Sequence, residues 1–334
     1  MSHKEGVSLI ICSYNGADRL PETIRHINAQ RVDSDIPWEL IVIDNASSDN
    51  TGQVAKKHWK GITSMRIIVE LKKGLMHARL RGIDEARFEF ISFIDDDNWI
   101  DPNWITNIYK IFFEHPEVGI CGSRNFGAFE ISPPSWFYEI EESYAIGKQG
   151  NETGDITEDR GHVWGAGLSF RNSAFEKITQ LGFTSVLTGR SGRNLGAGED
   201  TELSFAFRLA GWKLWYSDRL TLQHYITKER FEWNYVLKMY KGFGASHATF
   251  EIYRLVLNGQ PYRPEYIYLK TLKHVLYYWK LRCFLILKNK IGSIDYLKFQ
   301  FQKNKLKHIF YNRKTNKILY NNLWKFHRLA KEMK

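Results

Sequence analysis

The chain has 334 residues, 43% of them hydrophobic and 25% charged, which is typical of a globular protein, so a disordered chain is not expected. Its three cysteines, Cys12, Cys121 and Cys283, lie too far apart in sequence to predict a disulfide framework or a zinc site. No run of about 20 apolar residues occurs, and residues 1–6 are short and polar, so we expect neither a spanning helix nor a secretory signal.

The charge is divided unevenly along the chain. Residues 225–334 contain 23 Lys and Arg against 6 Asp and Glu, a net charge of +17, whereas the whole chain carries +10. Residues 1–224 are therefore acidic, with a net charge of −7. This asymmetry predicts two surfaces with different partners, in a first region, 1–225, and a basic, aromatic and largely helical second region, 226–334.

Short apolar runs alternate with segments of helical spacing in the first hundred residues. Strands are predicted at 7–12, 38–44, 65–70 and 88–94, and helices at about 20–27, 53–59 and 75–86. Strands and helices that alternate at short spacing predict a parallel sheet with right-handed crossovers, and hence an α/β fold.

Beyond residue 102 the predicted elements are more widely spaced. They are a helix at 103–114, a strand at 118–122, a strand around a glycine turn at 162–170, helices at 171–181 and from 199 through 209, and strands at 212–216 and 220–224. Residues 123–162 include Pro133-Pro134 and several aromatic side chains, and we expect loops and a lid there rather than a separate domain.

Polar clusters follow three of the predicted strands, at Ser13–Asn15, Asp44–Ser48 and Asp95–Asn98. In an open parallel sheet, ligands bind beyond the carboxyl ends of the strands. The three clusters therefore predict one shared site.

The run Asp95-Asp96-Asp97 points to a cation. Neighbouring carboxylates repel one another, and burying an unpaired one is costly. Hard oxygen ligands suit Mg²⁺ or Mn²⁺, with water and a substrate phosphate completing the coordination. The alternative is a solvated acidic turn before a helix, since Asp101-Pro102-Asn103 is itself a helix-start signal.

The order of these motifs resembles a known family. Ser13-Tyr14-Asn15, Asp44-Asn45, Gly74 with Arg79, Asp95–Asn98, Gly165-Ala166-Gly167 and Glu199-Asp200 follow one another as in the inverting family-two nucleotide-sugar glycosyltransferases. The resemblance covers about residues 6–225. It implies the A-type glycosyltransferase fold, an α/β architecture with a mostly parallel central sheet flanked by helices, here with a basic helical C-terminal extension.

The resemblance also implies an activity. We expect a transferase that moves a sugar from a nucleotide-diphosphate donor, a UDP-sugar, to the hydroxyl of a saccharide or lipid-linked saccharide in cell-surface polysaccharide or glycolipid assembly. The expected cofactor is Mn²⁺ or Mg²⁺, because a cation on the diphosphate neutralises the charge that develops as the sugar C1–O bond breaks.

Donor contacts are expected from residues at the strand ends and the following helix: Ser13, Tyr14, Asn15, Asp44, Asn45, Ser47, Gly74, Arg79, Asp95 and Asp96. Asp44 can accept the N–H of a uracil-type base, or it can cap the next helix. Arg79 can reach a phosphate or brace the acidic cluster, or it can form a surface salt bridge. By the resemblance, Asp97 ligates the metal, while Asp96 or Asp95 contacts ribose or sugar.

Asp200 is the expected general base, which accepts the proton of the acceptor hydroxyl as its oxygen attacks C1. Its position at a helix start, where the dipole favours anions, also suits a structural role. Trp164, Gly165, Ala166 and Glu199 are expected to bind the acceptor.

Three further residues have two interpretations each. His224 is expected to be a second metal ligand, and the alternative is a structural histidine. Arg190 and Arg193 either assist from a closing lid or belong to a solvated loop.

The segment Tyr266–Leu287 predicts contact with an anionic membrane surface. It mixes large apolar residues with basic ones, and Lys280 and Arg282 in its middle argue against spanning. The alternative is a helix packed on the main domain with a solvated basic face. We expect a cytoplasmic protein that is peripheral on the inner face of the plasma membrane.

Two other classes of function are alternatives to the transferase. A nucleic-acid-binding protein could use the basic region, but no recognised motif occurs and the acidic region repels phosphate, so no nucleic-acid partner is expected. A nucleotidyltransferase on a similar sheet would have a phosphate-binding loop rich in glycine and lysine after the first strand, which Ser13–Arg19 is not.

Overall fold

A nine-stranded sheet forms the centre of the protein in the computed structural model, which describes residues 3–187, 190–191, 194–195, 198–288 and 293–333. The strands of the sheet and of a separate two-stranded pair are β1 (Lys4–Ser13), β2 (Trp38–Asp44), β3 (Ser64–Val69), β4 (Phe88–Asp95), β5 (Asn98–Ile100), β6 (Val118–Phe129), β7 (Gly154–Asp155), β8 (Ser169–Arg171), β9 (Arg190–Ser191), β10 (Asn194–Leu195) and β11 (Lys213–Ile226).

Helices pack on both faces of the sheet. The helices of the chain are α1 (Leu20–Asn28), α2 (Thr51–His58), α3 (Leu75–Glu85), α4 (Trp104–Glu114), α5 (Asn172–Gln180), α6 (Glu199–Leu209), α7 (Trp233–Leu257), α8 (Pro264–Lys288), α9 (Ile294–Tyr311) and α10 (Arg313–Glu332). Short 3₁₀ helices occur at Ser135–Glu139, Glu141–Tyr144 and Lys228–Phe231.

The strand order is β3-β2-β1-β4-β8-β6-β11-β5, with β7 beside β11. β1 pairs in parallel with both β2 and β4, and β2 pairs in parallel with β3. The chain therefore runs outwards from β1 to β3 and then returns to the other side of β1. The crevice at such a reversal, beyond the carboxyl ends of the strands, is where open α/β sheets bind ligands. The predicted mostly parallel α/β sheet is confirmed.

Alternate residues of β1 face two apolar layers, as a strand covered by helices on both faces requires. Leu9 belongs to the cluster that includes Leu20 of α1 and Trp104 of α4. Ile10 belongs to the cluster on the other face, with Phe207 of α6. Burial on both faces fixes the register of the strand and thus the position of the polar residues at its end.

The predicted strands at 7–12, 38–44, 65–70 and 88–94 are confirmed as β1 to β4. The glycine turn predicted within 162–170 is present, since Gly167 has a left-handed φ of 76° and Leu168 N donates to Gly165 O. The strand predicted around it is wrong for residues 162–168, because only Ser169–Arg171 pairs with the sheet, as β8. The strands predicted at 212–216 and 220–224 form one strand, β11, with an irregular register between Ser217 and Thr221.

The predicted helical character of the C-terminal region is confirmed by α7 to α10. Phe250 and Tyr253 of α7 and Phe326 of α10 belong to the same apolar cluster as residues of the sheet. α8 packs on α9, where the rings of Tyr278 and Phe299 stack with centroids 4.4 Å apart. In the described ranges, no helix has both the length and the apolar character needed to cross a membrane.

Candidate active site

The three predicted polar clusters lie together at the carboxyl ends of β1, β2 and β4. Asn15 N donates to Ser47 Oγ at 3.0 Å, and Ser48 N donates to Asn15 Oδ1 at 2.8 Å. Ser13 Oγ donates to Asp96 Oδ2 at 2.6 Å. The first cluster thus contacts both others, so the residues that follow the three strands form one continuous polar surface.

Asn45 joins the end of β2 to the start of α3. Its Nδ2 donates to Lys72 O at 2.7 Å, and its Oδ1 accepts from Gly74 N at 2.8 Å. Gly74 has a φ of 133°, which residues with a side chain rarely adopt. Tyr14 stands at the rim, 46% exposed, with Lys73 Nζ 5.1 Å above its ring.

Asp44 is positioned by its own loop. Its Oδ1 accepts from Ser47 N at 3.0 Å. The alternative role, a cap on α2, is not seen, because Thr51 N at the start of that helix donates to Asp49 Oδ1 instead. Asp44 therefore remains at the strand end with a carboxylate directed by the turn rather than by a helix.

Asp96 is buried, with 8% of its surface exposed, and its carboxylate is already occupied. Arg19 donates through Nε to Oδ1 at 2.9 Å and through Nη2 to Oδ2 at 3.0 Å, a two-pronged pair. A Cβ at position 16 would overlap Ser13 Oγ and Asp96 Oδ2, so the close packing here requires Gly16. Sequence reasoning missed Arg19, whose sequence context is that of an ordinary helix start.

Arg79 lies at the centre of the acidic residues. It is 7% exposed, and its Nη1 lies 3.4 Å from Glu199 Oε1. Burial alone would lower the pKa of Arg79, but the charges of Glu199, Asp95 and Asp200 outweigh it and raise that pKa. Burial raises the pKa of Asp95 to about 6, although Arg79 acts in the opposite direction. Arg79 is thus a buried member of the site and not part of a surface salt bridge.

Asp200 lies on the first turn of α6, beside the glycine turn that precedes β8. Its Oδ2 accepts from Gly165 N at 2.7 Å, and its Oδ1 accepts from Thr201 N at 2.7 Å. An added Cβ on Gly165 would lie 3.3 Å from both Asp200 Oδ2 and Arg79 Nη2. The predicted base, the glycine turn and Arg79 are therefore neighbours.

Asp97 and His224 meet because β5 pairs antiparallel with β11, with Asn98 opposite His224. Asp97 Oδ2 lies 3.6 Å from His224 Nε2. Arg230 Nη1 lies 3.1 Å from each of these two atoms. Sequence reasoning counted Arg230 only as part of the basic region.

The Asp97–His224 pair fits a divalent cation in its chemistry. His224 Nδ1 donates to Tyr144 O at 2.7 Å, so Nε2 keeps the lone pair that a metal ligand needs. Within the described residues no group of three or more His, Cys, Asp or Glu is spaced to hold a metal ion. A cation at this pair would therefore take its other ligands from water and substrate, as Mg²⁺ and Mn²⁺ commonly do.

Trp164 lies beside an open cleft lined by residues 146–156, Asp159 and Arg160. The guanidinium of Arg160 lies 4.6 Å from the centroid of the Trp164 ring, and Trp164 N donates to Gln149 Oε1 at 2.7 Å. Ala166 follows in the glycine turn and is 6% exposed. Trp164 is thus near this cleft, Gly165 contacts Asp200, and Glu199 lies at Arg79.

The two predicted lid arginines fall on a segment that the structure describes only in part. Residue 193 lies outside the described residues, and of Arg190 only the backbone, in β9, is described.

Comparison with known proteins identifies relatives along much of the chain. Residues 8–179, more than half of the chain, match the model of the family described as Glycosyl transferase family 2. EpsH of Bacillus subtilis is 28% identical over 139 residues, which are 41% of this chain and 39% of EpsH. The glucosyl-dolichyl phosphate glucuronosyltransferase of Haloferax volcanii is 20% identical over 242 residues, 71% of this chain and 75% of that enzyme. The chain thus spans about two fifths of EpsH and about three quarters of the Haloferax enzyme.

The fold is shared with a solved structure. Residues 1–349 of Staphylococcus aureus TarS, in complex with UDP, superpose with a TM-score of 0.51 at 15% identity, covering 93% of this chain and 92% of that one. At this identity the likeness shows the fold alone. Together with the match over residues 8–179, it leads to one conclusion: the chain belongs to glycosyl transferase family 2.

Proposed function

We propose that this glycosyltransferase moves a sugar from a UDP-sugar to an acceptor hydroxyl with inversion at C1. The observation that carries the proposal is the buried Arg79, which has Asp95 at the end of β4 on one side and Glu199 and Asp200 at the start of α6 on the other. A carboxylate suited to the donor and one suited to proton transfer thereby share one site. The UDP in the TarS complex supports uracil as the base of the donor nucleotide.

The nucleotide is proposed to lie across the ends of β1 and β2. Asp44 would accept the N–H of uracil, because one of its oxygens is held by Ser47 N and the other receives no hydrogen bond from the described residues. Asp95 is a better candidate than Asp96 for contact with ribose or sugar, since Arg19 and Ser13 already occupy the Asp96 carboxylate.

The diphosphate is proposed to be bound at Asp97 and His224 through Mn²⁺ or Mg²⁺. Such a cation, when bound, supplies positive charge to the leaving diphosphate. Asp97 contributes a hard oxygen ligand and His224 contributes Nε2, and the bond from His224 Nδ1 to Tyr144 O keeps the ring in the required orientation.

Asp200 is proposed to take the proton of the acceptor hydroxyl. The bonds from Gly165 N and Thr201 N hold both of its oxygens, which fixes the carboxylate in one orientation without neutralising its charge. Glycine at 165 keeps the space in front of Asp200 open for an acceptor oxygen.

The acceptor is proposed to be a saccharide, carried on a lipid, that enters by the cleft beside Trp164. Trp164 is 9% exposed and Arg160 covers its ring, so an acceptor sugar would contact the Arg160–Trp164 pair rather than a bare ring. Glu199 can accept a hydrogen bond from a sugar hydroxyl. A lipid carrier is supported by the Haloferax relative, whose name specifies a glucosyl-dolichyl phosphate.

The second region is proposed to hold the enzyme on an anionic membrane surface through α8. Thr271, Tyr278 and Leu285 face inward, whereas an apolar stripe is exposed on the other face: Leu269, Leu272, Leu276, Trp279 and Ile286, each 53–69% exposed. Lys273, Lys280 and Arg282 are exposed beside that stripe. A basic helix with a bare apolar face matches the charge and polarity of an anionic membrane interface.

The transferase proposal is tested with a panel of UDP-sugars and Mn²⁺, measuring UDP binding and sugar transfer separately. Asp200→Asn should lower transfer by about 10²–10⁴-fold and leave UDP binding within about twofold, because it removes only the base. Asp97→Asn should weaken UDP binding itself. Asp84→Asn, an exposed carboxylate on α3, is the matched control and should change neither. Unaltered transfer by Asp200→Asn would refute the assignment of the base.

The membrane proposal is tested by sedimentation with vesicles of phosphatidylcholine and phosphatidylglycerol. Replacing Leu272, Leu276 and Trp279 together by Glu should weaken binding at least about 100-fold, since burial of each such side chain contributes about 1.5–3 kcal/mol. Ile318→Glu on α10, where Ile318 is also exposed, is the control. Unchanged vesicle binding by the triple variant would reject the membrane role of the stripe. So would a wild-type protein that is dimeric in solution and becomes monomeric in the triple variant.

A further inference from the structure

Arg230 lies where the two proposed cation ligands meet. Its Nη1 is 3.1 Å from Asp97 Oδ2 and 3.1 Å from His224 Nε2, and its side chain is 11% exposed. It belongs to the 3₁₀ helix Lys228–Phe231, which follows β11 directly. A guanidinium thus bridges the oxygen and the nitrogen that a divalent cation would use.

The rest of the Arg230 side chain is held in place, but its hydrogen-bonding capacity is not fully used. The rings of Tyr144 and Tyr235 lie 6.0 and 5.9 Å from its Cζ, and Tyr144 OH donates to its carbonyl at 2.8 Å. Its Nε is buried and meets no acceptor among the described residues. A buried donor without an acceptor is unfavourable, so the side chain is suited to accept a further anionic group.

We infer that Arg230 and the divalent cation compete for Asp97 and His224, and that binding of the cation directs the guanidinium to the diphosphate of the donor. The inference rests on the proposed function, because the diphosphate is the group that a cation at Asp97 would hold. A cation that bound both donor atoms would lie close to Arg230 Nη1, which contacts the same two atoms, and like charges in a partly buried site repel strongly. A guanidinium, in turn, matches a phosphate in charge and in the geometry of its paired N–H groups.

The test measures two affinities of the full chain that should change in opposite directions. Mn²⁺ affinity without nucleotide, followed by electron paramagnetic resonance, should be at least about tenfold tighter in Arg230→Gln than in the wild type. UDP affinity at saturating Mn²⁺ should be about tenfold or more weaker in the same variant, because a charge-assisted hydrogen bond is lost. A purely structural role for Arg230 would weaken both.

Two further variants make the result specific. Adding Asp97→Asn to Arg230→Gln should remove the gain in Mn²⁺ affinity, because the gain depends on that carboxylate. Arg208→Gln, which removes an equal charge from a pair with Glu158, should leave Mn²⁺ affinity within about twofold. If Arg230→Gln is unfolded by circular dichroism, Arg230→Met, which also removes the charge and keeps an unbranched side chain, takes its place with the same expected gain.

Unchanged or weaker Mn²⁺ affinity in the folded Arg230 variant would overturn the inference and make Arg230 a residue that positions the two ligands. Failure of the proposed function is distinguishable from this outcome. A wild-type protein that binds no UDP and turns over no UDP-sugar would refute the donor assignment, while a gain in Mn²⁺ affinity would still support the competition for Asp97 and His224.

Discussion

Residues 3–226 and residues 233–333 use charged side chains differently. In the sheet half, ionised groups are buried in pairs at the strand ends, as with Arg79 and Glu199 or Arg19 and Asp96. In the helical half, most basic residues, such as Lys273 and Lys280, are exposed. Because a buried charge must be paired whereas an exposed one is solvated, the acidic half uses its charges to position groups and the basic half uses them to present a surface.

A fully buried hydrogen bond nevertheless joins the two halves. Glu202 of α6 and Tyr253 of α7 are both 0% exposed, and Tyr253 OH donates to Glu202 Oε1 at 2.8 Å. Glu202 also accepts from Val186 N and Leu187 N. The carboxylate therefore fixes α7 of the helical half against the helix that begins with Asp200.

The largest expected effect tests the buried charges of the sheet half. Arg79→Met should lower the free energy of unfolding by about 3–5 kcal/mol, because it leaves Glu199 buried without its cation. Turnover of a UDP-sugar should fall at least about 100-fold in the fraction that remains folded. Chemical unfolding and initial rates measure the two effects. Arg81→Met removes an exposed pair with Glu85 and should cost less than about 1 kcal/mol. Equal losses of unfolding free energy in the two variants would contradict the distinction between buried and exposed charges.

A smaller effect tests the contact between the halves. Tyr253→Phe should reduce the free energy of unfolding by about 2 kcal/mol, because a buried carboxylate loses one of its donors. Urea unfolding measures the change, and Tyr311→Phe, at an 81% exposed position on α9, serves as control. A stability equal to that of the wild type would show that Glu202 does not join the two halves.

A third effect, of similar size, depends on pH and belongs to the helical half. Burial, with smaller contributions from Arg254 and Lys305, lowers the pKa of His247 from 6.5 to about 4. The folded state therefore favours neutral His247. The contribution of neutral His247 to the free energy of unfolding is complete above pH 6.5 and is lost as the pH falls towards 4. At pH 5 the loss is about 2 kcal/mol.

His247→Gln removes this proton uptake. The difference in unfolding free energy between pH 7 and pH 5 should shrink by about 2 kcal/mol in the variant, as measured by urea unfolding at the two pH values. His58→Gln, at an exposed position after which α2 ends, is the control and should keep the wild-type difference. An unchanged pH dependence in His247→Gln would show that His247 does not contribute to acid sensitivity.

Local sequence patterns predicted the elements of the sheet half because each has a local cause. The apolar run at 38–44 is a strand with those bounds, since it is buried on both faces and followed by a polar turn. At 162–170 the glycine turn was predictable, but the apolar residues before it suggested a strand that the structure confines to Ser169–Arg171. In the helical half, composition indicated helices. No local sequence pattern, however, indicates that α7 and α10 pack on the apolar cluster that includes residues of the sheet.

Local sequence patterns indicate a candidate site residue most directly where it follows a strand or opens a helix. The positions of Asp44, Asp97 and Asp200 follow from that rule. Arg19 and Arg230 do not, because their partners lie 77 and 133 residues away and the pairs exist only once the sheet is formed. A basic residue with no acidic partner nearby in the sequence cannot be told apart from an ordinary surface residue.

The pairing of β5 with β11 has a consequence for the order of synthesis. Asp97 leaves the ribosome more than a hundred residues before His224 and Arg230, yet all three belong to one cluster. A nascent chain that ends before β11 therefore carries the acidic run without either its imidazole or its guanidinium neighbour. The cluster is completed only when the last strand has been added to the sheet, so an enzyme released too early lacks it.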